Sequence, residues 1–196
     1  MSPPPIVVLA GGASTRLREC KALADLGGGL TPLAHLCAAG AELVVGGAHA
    51  REIRAALPAG VEFAHNAEWE SGRLSSVRCA VRARPGRDLC LAPVDVPLVP
   101  AGVFVSLAQA WEAAGAPERG WLAPCVGSGP ARRHGHPVVL GRTLLRELLE
   151  GPPERTLKSF RTRAQPLLEI EVQVHEVLDD LDTPEDLARL RARRGF

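Results

Sequence analysis

The chain has 196 residues, 46% hydrophobic and 23% charged, with 23 basic against 22 acidic side chains and a formal net charge of +1. That length can bury a core of ordinary size for one domain, and so even a charge balance offers no basic field for nucleic acid or an anionic membrane surface. No apolar run approaches the ~18 residues needed to cross a bilayer, and Met1-Ser2-Pro3-Pro4-Pro5 lacks the regions of a signal peptide, so a cytoplasmic protein is expected.

Ile6 to Leu9 is a run of four apolar residues and reads as a fully buried strand of a parallel sheet. Gly11 and Gly12 follow, then Ser14 and Thr15, with Arg16 and Lys21 beyond. Two glycines at a strand-to-helix turn, with cations close behind, form a cradle for phosphate through free backbone N–H groups. The alternative is a plain tight turn. Neither Gly-x-x-x-x-Gly-Lys-Ser/Thr nor Gly-x-Gly-x-x-Gly is present, which argues against a P-loop and against a dinucleotide fold of the nicotinamide-enzyme kind.

Gly27 to Gly29 reads as a loop, and Thr31 caps a short helix over Leu33 to Ala39 that Gly40 closes. Ala41 to Val45 is the second strand, His49 to Leu57 a helix, and Val61 to Ala64 the third strand, which delivers Asn66 at its end. A helix over Leu74 to Ala83 follows, with Ser75 and Ser76 at its start. Asn66 and these serines suit neutral hydrogen bonds to a base or ribose; their structural alternatives are a loop asparagine and a helix cap. Asp88 to Ala92 is the fourth strand and leads into Pro93-Val94-Asp95-Val96-Pro97. A carboxylate in so apolar a setting is costly unless neutralised, and a divalent cation shared with phosphate oxygens would do this; a solvent-facing turn carboxylate is the alternative.

Val103 to Ala114 reads as a helix, Trp121 to Val126 as the fifth strand, Gly127 to Arg133 as a loop, and Pro137 to Leu140 as an extended run. Within Arg132-Arg133-His134-Gly135-His136, two histidines two apart make a weak metal signal, and the basic residues better suit an anionic second substrate or a solvated surface. Helices over Leu144 to Leu149 and Leu157 to Arg163 and a strand over Leu168 to Val177 complete the alternation. Thr183 caps the last helix with Pro184 at its first position. Asp179, Asp180 and Asp182 just before it exceed what a cap needs, and Asp182 pairs with Asp95 as candidate metal ligand. Five scattered cysteines, Cys20, Cys37, Cys79, Cys90 and Cys125, fit reduced core thiols. No repeat or linker divides the chain, so residues 1–196 are expected to form one domain. Strands alternating with helices imply an α/β fold with a mostly parallel sheet whose ligand sits at the carboxyl ends of the strands.

Five segments, in this order, resemble the molybdenum cofactor nucleotidylyltransferases, the MobA/MocA-like group of NTP transferases. They are Leu9-Ala10-Gly11-Gly12-Ala13-Ser14-Thr15-Arg16-Leu17 through Lys21, Asn66 to Ser76, Pro93 to Val99, Arg133 to Val138, and Leu181 to Leu187. The resemblance implies a three-layer, Rossmann-like (GT-A-like) nucleotidyltransferase fold. It implies nucleotide contacts from Leu9, Ala10, Gly11, Gly12, Ser14, Lys21, Asn66 and Ser75, catalytic roles for Arg16, Lys21 and Asp95, and Mg²⁺ on Asp95 and Asp182. Arg133, His134 and His136 would face the acceptor. The implied reaction moves a nucleoside monophosphate from GTP or CTP to a phosphorylated acceptor of the molybdopterin type, releasing pyrophosphate, in a monomer or weak dimer. A sugar or polyol phosphate acceptor is the close variant; a nucleotide- or cofactor-binding protein without catalysis is the alternative from another class. Arg18 stands where the family usually has glycine, Gly29 to Val45 is several residues short, and Gly151 to Lys158 replaces a Gly-Asp-x-Gly-type segment.

Overall fold

The structure of the chain, a computed structural model, describes residues 2–152 and 156–196, so the replaced segment at 151–158 falls partly outside the described residues. The strands are β1 (Ile6–Ala10), β2 (Ala41–Gly46), β3 (Glu62–His65), β4 (Leu89–Pro93), β5 (Trp121–Val126), β6 (Arg133–His134), β7 (Val138–Leu140) and β8 (Leu167–Glu171). The helices are α1 (Pro32–Ala38), α2 (Ala50–Ala55), α3 (Arg73–Ala83), α4 (Ala101–Ala113), α5 (Arg142–Glu150), α6 (Leu157–Arg161) and α7 (Pro184–Arg193).

All eight strands join one sheet in the order β3-β2-β1-β4-β7-β5-β6, with β8 on β5. β1, apolar throughout, lies between β2 and β4 and runs parallel to both. Five other strands share its direction; β7 is antiparallel to β4 and β5, and β6 is antiparallel to β5. The registers set β7 against Trp121–Leu122 and β6 against Cys125–Val126, so the two follow one another along β5, broken at Gly135–Pro137. That break falls beside the carboxyl end of β4.

Each face of the sheet is buried. Val8, Val44, Cys90 and Ala92 join Leu36, Ile53, Phe104 and Trp111 on one side. Val7, Leu43, Val45 and Leu91 join Val77, Val81, Leu144 and Phe160 on the other. A third, smaller core holds Leu17, Leu26, Leu181, Leu187 and Leu190, and it fastens the loop after β1 to α7. The layers and sheet direction match the expectation.

Four local readings differ. β1 is not followed by a helix; one 3-10 turn, Lys21–Leu23, interrupts a loop that runs to α1 at Pro32. Ser14 and Arg18 in that loop have φ of 54° and 65°, a left-handed backbone that cannot continue a right-handed helix. The expected loop 127–133 contains a 3-10 turn and the first residue of β6. The strand expected to reach Val177 ends at Glu171 and is followed by a 3-10 turn, His175–Leu178. The helix expected to reach Arg163 ends at Arg161.

Candidate active site

The carboxyl ends of β1 and β4, the start of α3 and the turn before α7 enclose a cavity of about 370 Å³. Leu9, Ala10, Gly11, Gly12, Ser14, Arg16 and Lys21 line one wall, and Asp95, His136 and Asp182 line it further round.

The glycines have different reasons to be glycine. A side-chain carbon on Gly11 would stand 2.4 Å from Ser76 Oγ, so Gly11 lets β1 lie against α3. One on Gly12 would meet nothing within 4 Å and would project into open space at the cavity wall. Gly12 therefore leaves room for a ligand, as a phosphate cradle requires. The loop is shaped by Ser14, whose carbonyl accepts from the N–H groups of Leu17 (3.1 Å) and Arg18 (3.0 Å), and whose Oγ accepts from Lys21 N–H (3.2 Å). Leu17 is buried below it, so the cations stand on an anchored loop.

Those cations meet an acid. Arg16 Nη2 donates to Asp182 Oδ2 (2.7 Å) and Lys21 Nζ donates to Asp182 Oδ1 (2.6 Å). The Lys21 hydrogen bond, and then the charges of Lys21 and Arg16, hold the Asp182 carboxyl below the usual range. Asp182 itself is fixed by α7, where Thr183 and Asp186 form a reciprocal capping box and Asp186 Oδ2 also accepts from Asp182 N–H (3.0 Å). Asp95, between the buried Val94 and Val96, pairs with Arg73 Nη2 at 3.1 Å, and its carbonyl accepts from Leu181 N–H at 2.8 Å. Partial burial, and then the like charges of Asp95 and Asp182, raise the carboxyl of the exposed Asp180.

Asp95, Asp180 and Asp182 thus concentrate negative charge beside a phosphate-sized space. Oxygen donors of this kind suit a hard divalent cation that completes its shell with phosphate oxygens and water. Among the described residues no three His, Cys, Asp or Glu side chains are arranged to hold a metal ion.

The acceptor candidates separate. His136 lines the cavity from the break between β6 and β7; burial lowers its imidazole, and Nδ1 is shielded from water without a hydrogen-bond partner. Arg133 is exposed on β6 outside the cavity lining. His134 is turned away onto Glu169, which also takes Arg132. Asn66 and Ser75 are buried behind the wall rather than in it. Asn66 Nδ2 donates to Ser75 Oγ (2.8 Å) and Ser76 Oγ (3.1 Å), while its Oδ1 accepts from Glu68 N–H (3.1 Å). It ties β3 to α3, and Ser76 is the serine that reaches the cavity. Sequence reasoning gave no role to Arg73, Trp69 or Glu70, which also line it. Arg73 left one signal: a cation in the first turn of a helix that has no acid there, against the helix dipole.

A sequence model of the MobA-like NTP transferase domain family matches residues 6–167. A comparison with the curated proteins finds no match. Among solved structures the chain is similar to Rv0371c of Mycobacterium tuberculosis H37Rv, at 25% identity over 97% of this chain and 99% of that one, TM-score 0.73. Rv0371c has also been solved in complex with manganese. The molybdopterin-guanine dinucleotide biosynthesis protein A of Archaeoglobus fulgidus shares the fold at 17% identity, over 97% and 98% of the chains, TM-score 0.75. So does a CMP:2-keto-3-deoxy-manno-octonic acid synthetase solved with CTP, at 16% identity over 99% of each chain, TM-score 0.79.

Proposed function

The chain belongs to the MobA-like NTP transferase family, and we propose that it transfers a nucleoside monophosphate from GTP or CTP to a phosphorylated acceptor of the molybdopterin type in the cytoplasm. One observation carries this reading: a single cavity joins the open cradle at Gly12, the cations Arg16 and Lys21, and the acids Asp95 and Asp182. In the reaction an acceptor phosphate oxygen attacks the α-phosphorus, the α–β bridging bond breaks, and pyrophosphate leaves. The acceptor arrives as an anion, so no general base is needed, and the work is positioning and charge neutralisation.

Gly11 and Gly12 leave backbone N–H groups for phosphate oxygens. Lys21 and Arg16 pass from Asp182 to the triphosphate and meet the charge that grows on pyrophosphate. Asp95 and the turn 180–182 supply the carboxylates that would hold Mg²⁺, with Asp182 available once the loop cations leave it. Bound there, the cation would neutralise phosphate charge and orient the leaving group. His136, neutral and short of a partner, would offer its ring nitrogen to the acceptor. That Rv0371c has been solved in complex with manganese supports the use of a divalent cation.

The test is pyrophosphate release from each of four ribonucleoside triphosphates, with molybdopterin as acceptor and Mg²⁺ present. One triphosphate should be used, with turnover lost in Asp95→Ala and triphosphate affinity lowered far more than monophosphate affinity in Lys21→Ala. Wild-type turnover by the Asp95 variant would overturn the role of that carboxylate.

A further inference from the structure

Arg73 occupies a position that helix energetics disfavour. It is the first residue of α3, whose first turn carries no acid, so its charge faces the positive end of the helix dipole. The preceding Gly72 has φ of 99°, a conformation open to glycine, and from that turn Arg73 starts the helix at the cavity wall. The guanidinium crosses to Asp95, Nη2 to Oδ2 at 3.1 Å, although the Arg73 side chain is 80% exposed and the Asp95 side chain only 16%.

The exposed partner is thus the adjustable one. Lys21 and Arg16 are already committed to Asp182, and among the described residues Arg73 is the cation paired with Asp95. Without it, Asp95 would stand between Val94 and Val96 with the charges of Asp180 and Asp182 near and no counter-ion of its own.

We infer that Arg73 is a resident counter-ion that a divalent cation must displace from Asp95. This rests on the divalent-cation reading given above. A guanidinium has only N–H donors and cannot share in coordinating a metal. A metal on Asp95 puts two positive charges beside a third, and the pair separates. The exposed stem of Arg73 lets it swing out at little packing cost while it still lines the cavity, where the free guanidinium faces entering phosphate. Cation binding at Asp95 and release of an anion-binding arginine are then one event, which makes Arg73 a positioning residue for the transfer.

The experiment measures Mn²⁺ binding to the full chain without nucleotide at low ionic strength, from the loss of the free-ion electron paramagnetic resonance signal. Arg73→Gln should bind Mn²⁺ about two- to fivefold more tightly than wild type, the range expected for removing one exposed ion-pair competitor. The gain should shrink as salt is raised. Asp95→Asn should weaken binding and cancel the gain in the double variant. Arg87→Gln, the same charge change on an exposed residue outside this cavity, should leave the affinity unchanged. Equal or weaker Mn²⁺ binding by Arg73→Gln, with the Asp95 dependence intact, overturns the exchange while the cation site stands. Absence of Asp95-dependent Mn²⁺ binding in both proteins overturns the cation site and the exchange together.

Discussion

At the residue scale, the two adjacent glycines give opposite expectations. Gly11→Ala forces a methyl group against Ser76 Oγ, which is held by Asn66, and overpacking of this kind costs about 1–3 kcal/mol. Gly12→Ala meets no protein atom, so its stability should stay within about 0.5 kcal/mol of wild type. Its triphosphate affinity should fall tenfold or more, because the methyl group takes the space of the cradle. Urea denaturation with nucleotide titration separates the two, and a Gly12 variant with unchanged affinity would show that phosphate lies elsewhere. His136 gives a pH dependence. Burial holds its imidazole below the ordinary value near 6.5, so the unfolded chain takes up a proton first as pH falls. The neutral side chain's contribution is complete above about pH 6.5 and is lost as pH falls from there toward the folded value. The stability difference between wild type and His136→Gln should therefore be larger at pH 7.5 than at pH 5.5 in urea titrations; a difference independent of pH would mean the ring titrates normally. Other residue roles could not be read from the chain alone. Asn66 has the composition of a ligand contact, but its two side-chain polar atoms are spent on three hydrogen bonds, to Ser75 and Ser76 of α3 and to Glu68 N–H, and only the distances reveal that.

At the scale of elements, the buried strands were legible because both faces are covered, so β1, β2, β4 and β5 are near-continuous apolar runs. β7 was legible only as an extended run and β6 only as loop, since three and two residues carry no period and their direction is set by partners far along the chain. The loop after β1 hid its shape for a related reason. Arg18 adopts a left-handed φ of 65°, at a cost its sequence does not announce. The start of α7 was legible down to its cap, since Thr183-Pro184-Glu185-Asp186 is a local signal. That cap also fixes Asp182, so Thr183→Ala should lower stability by about 1 kcal/mol and loosen the anchor of Lys21 and Arg16. A raised KM for triphosphate beside a lowered denaturation midpoint would be the joint signature. Loss of stability alone would show that Asp182 holds its place without the box.

At the scale of the molecule, the charged side chains of the cavity are paired with one another. Three cations, Arg16, Lys21 and Arg73, are paired with two carboxylates, Asp182 and Asp95, from loops of the chain more than 160 residues apart for the first pair of contacts. In the proposed reaction a triphosphate alone would draw Lys21 and Arg16 from Asp182 and leave that acid uncompensated, and a divalent cation alone would push Arg73 from Asp95. Each ligand supplies the partner that the other strands. Nucleotide and Mg²⁺ should therefore stabilise the fold together by more than the sum of their separate effects. A ligand present at 100 times its dissociation constant, and bound only to the folded state, adds about 2.7 kcal/mol. Thermal denaturation with each of the four triphosphates, Mg²⁺ alone, and both together should give a large shift for one combination only. That outcome would identify the base as well as the coupling. An equal shift with nucleotide alone would mean that the carboxylates play no part in holding the triphosphate, and it would favour a binding protein over a transferase.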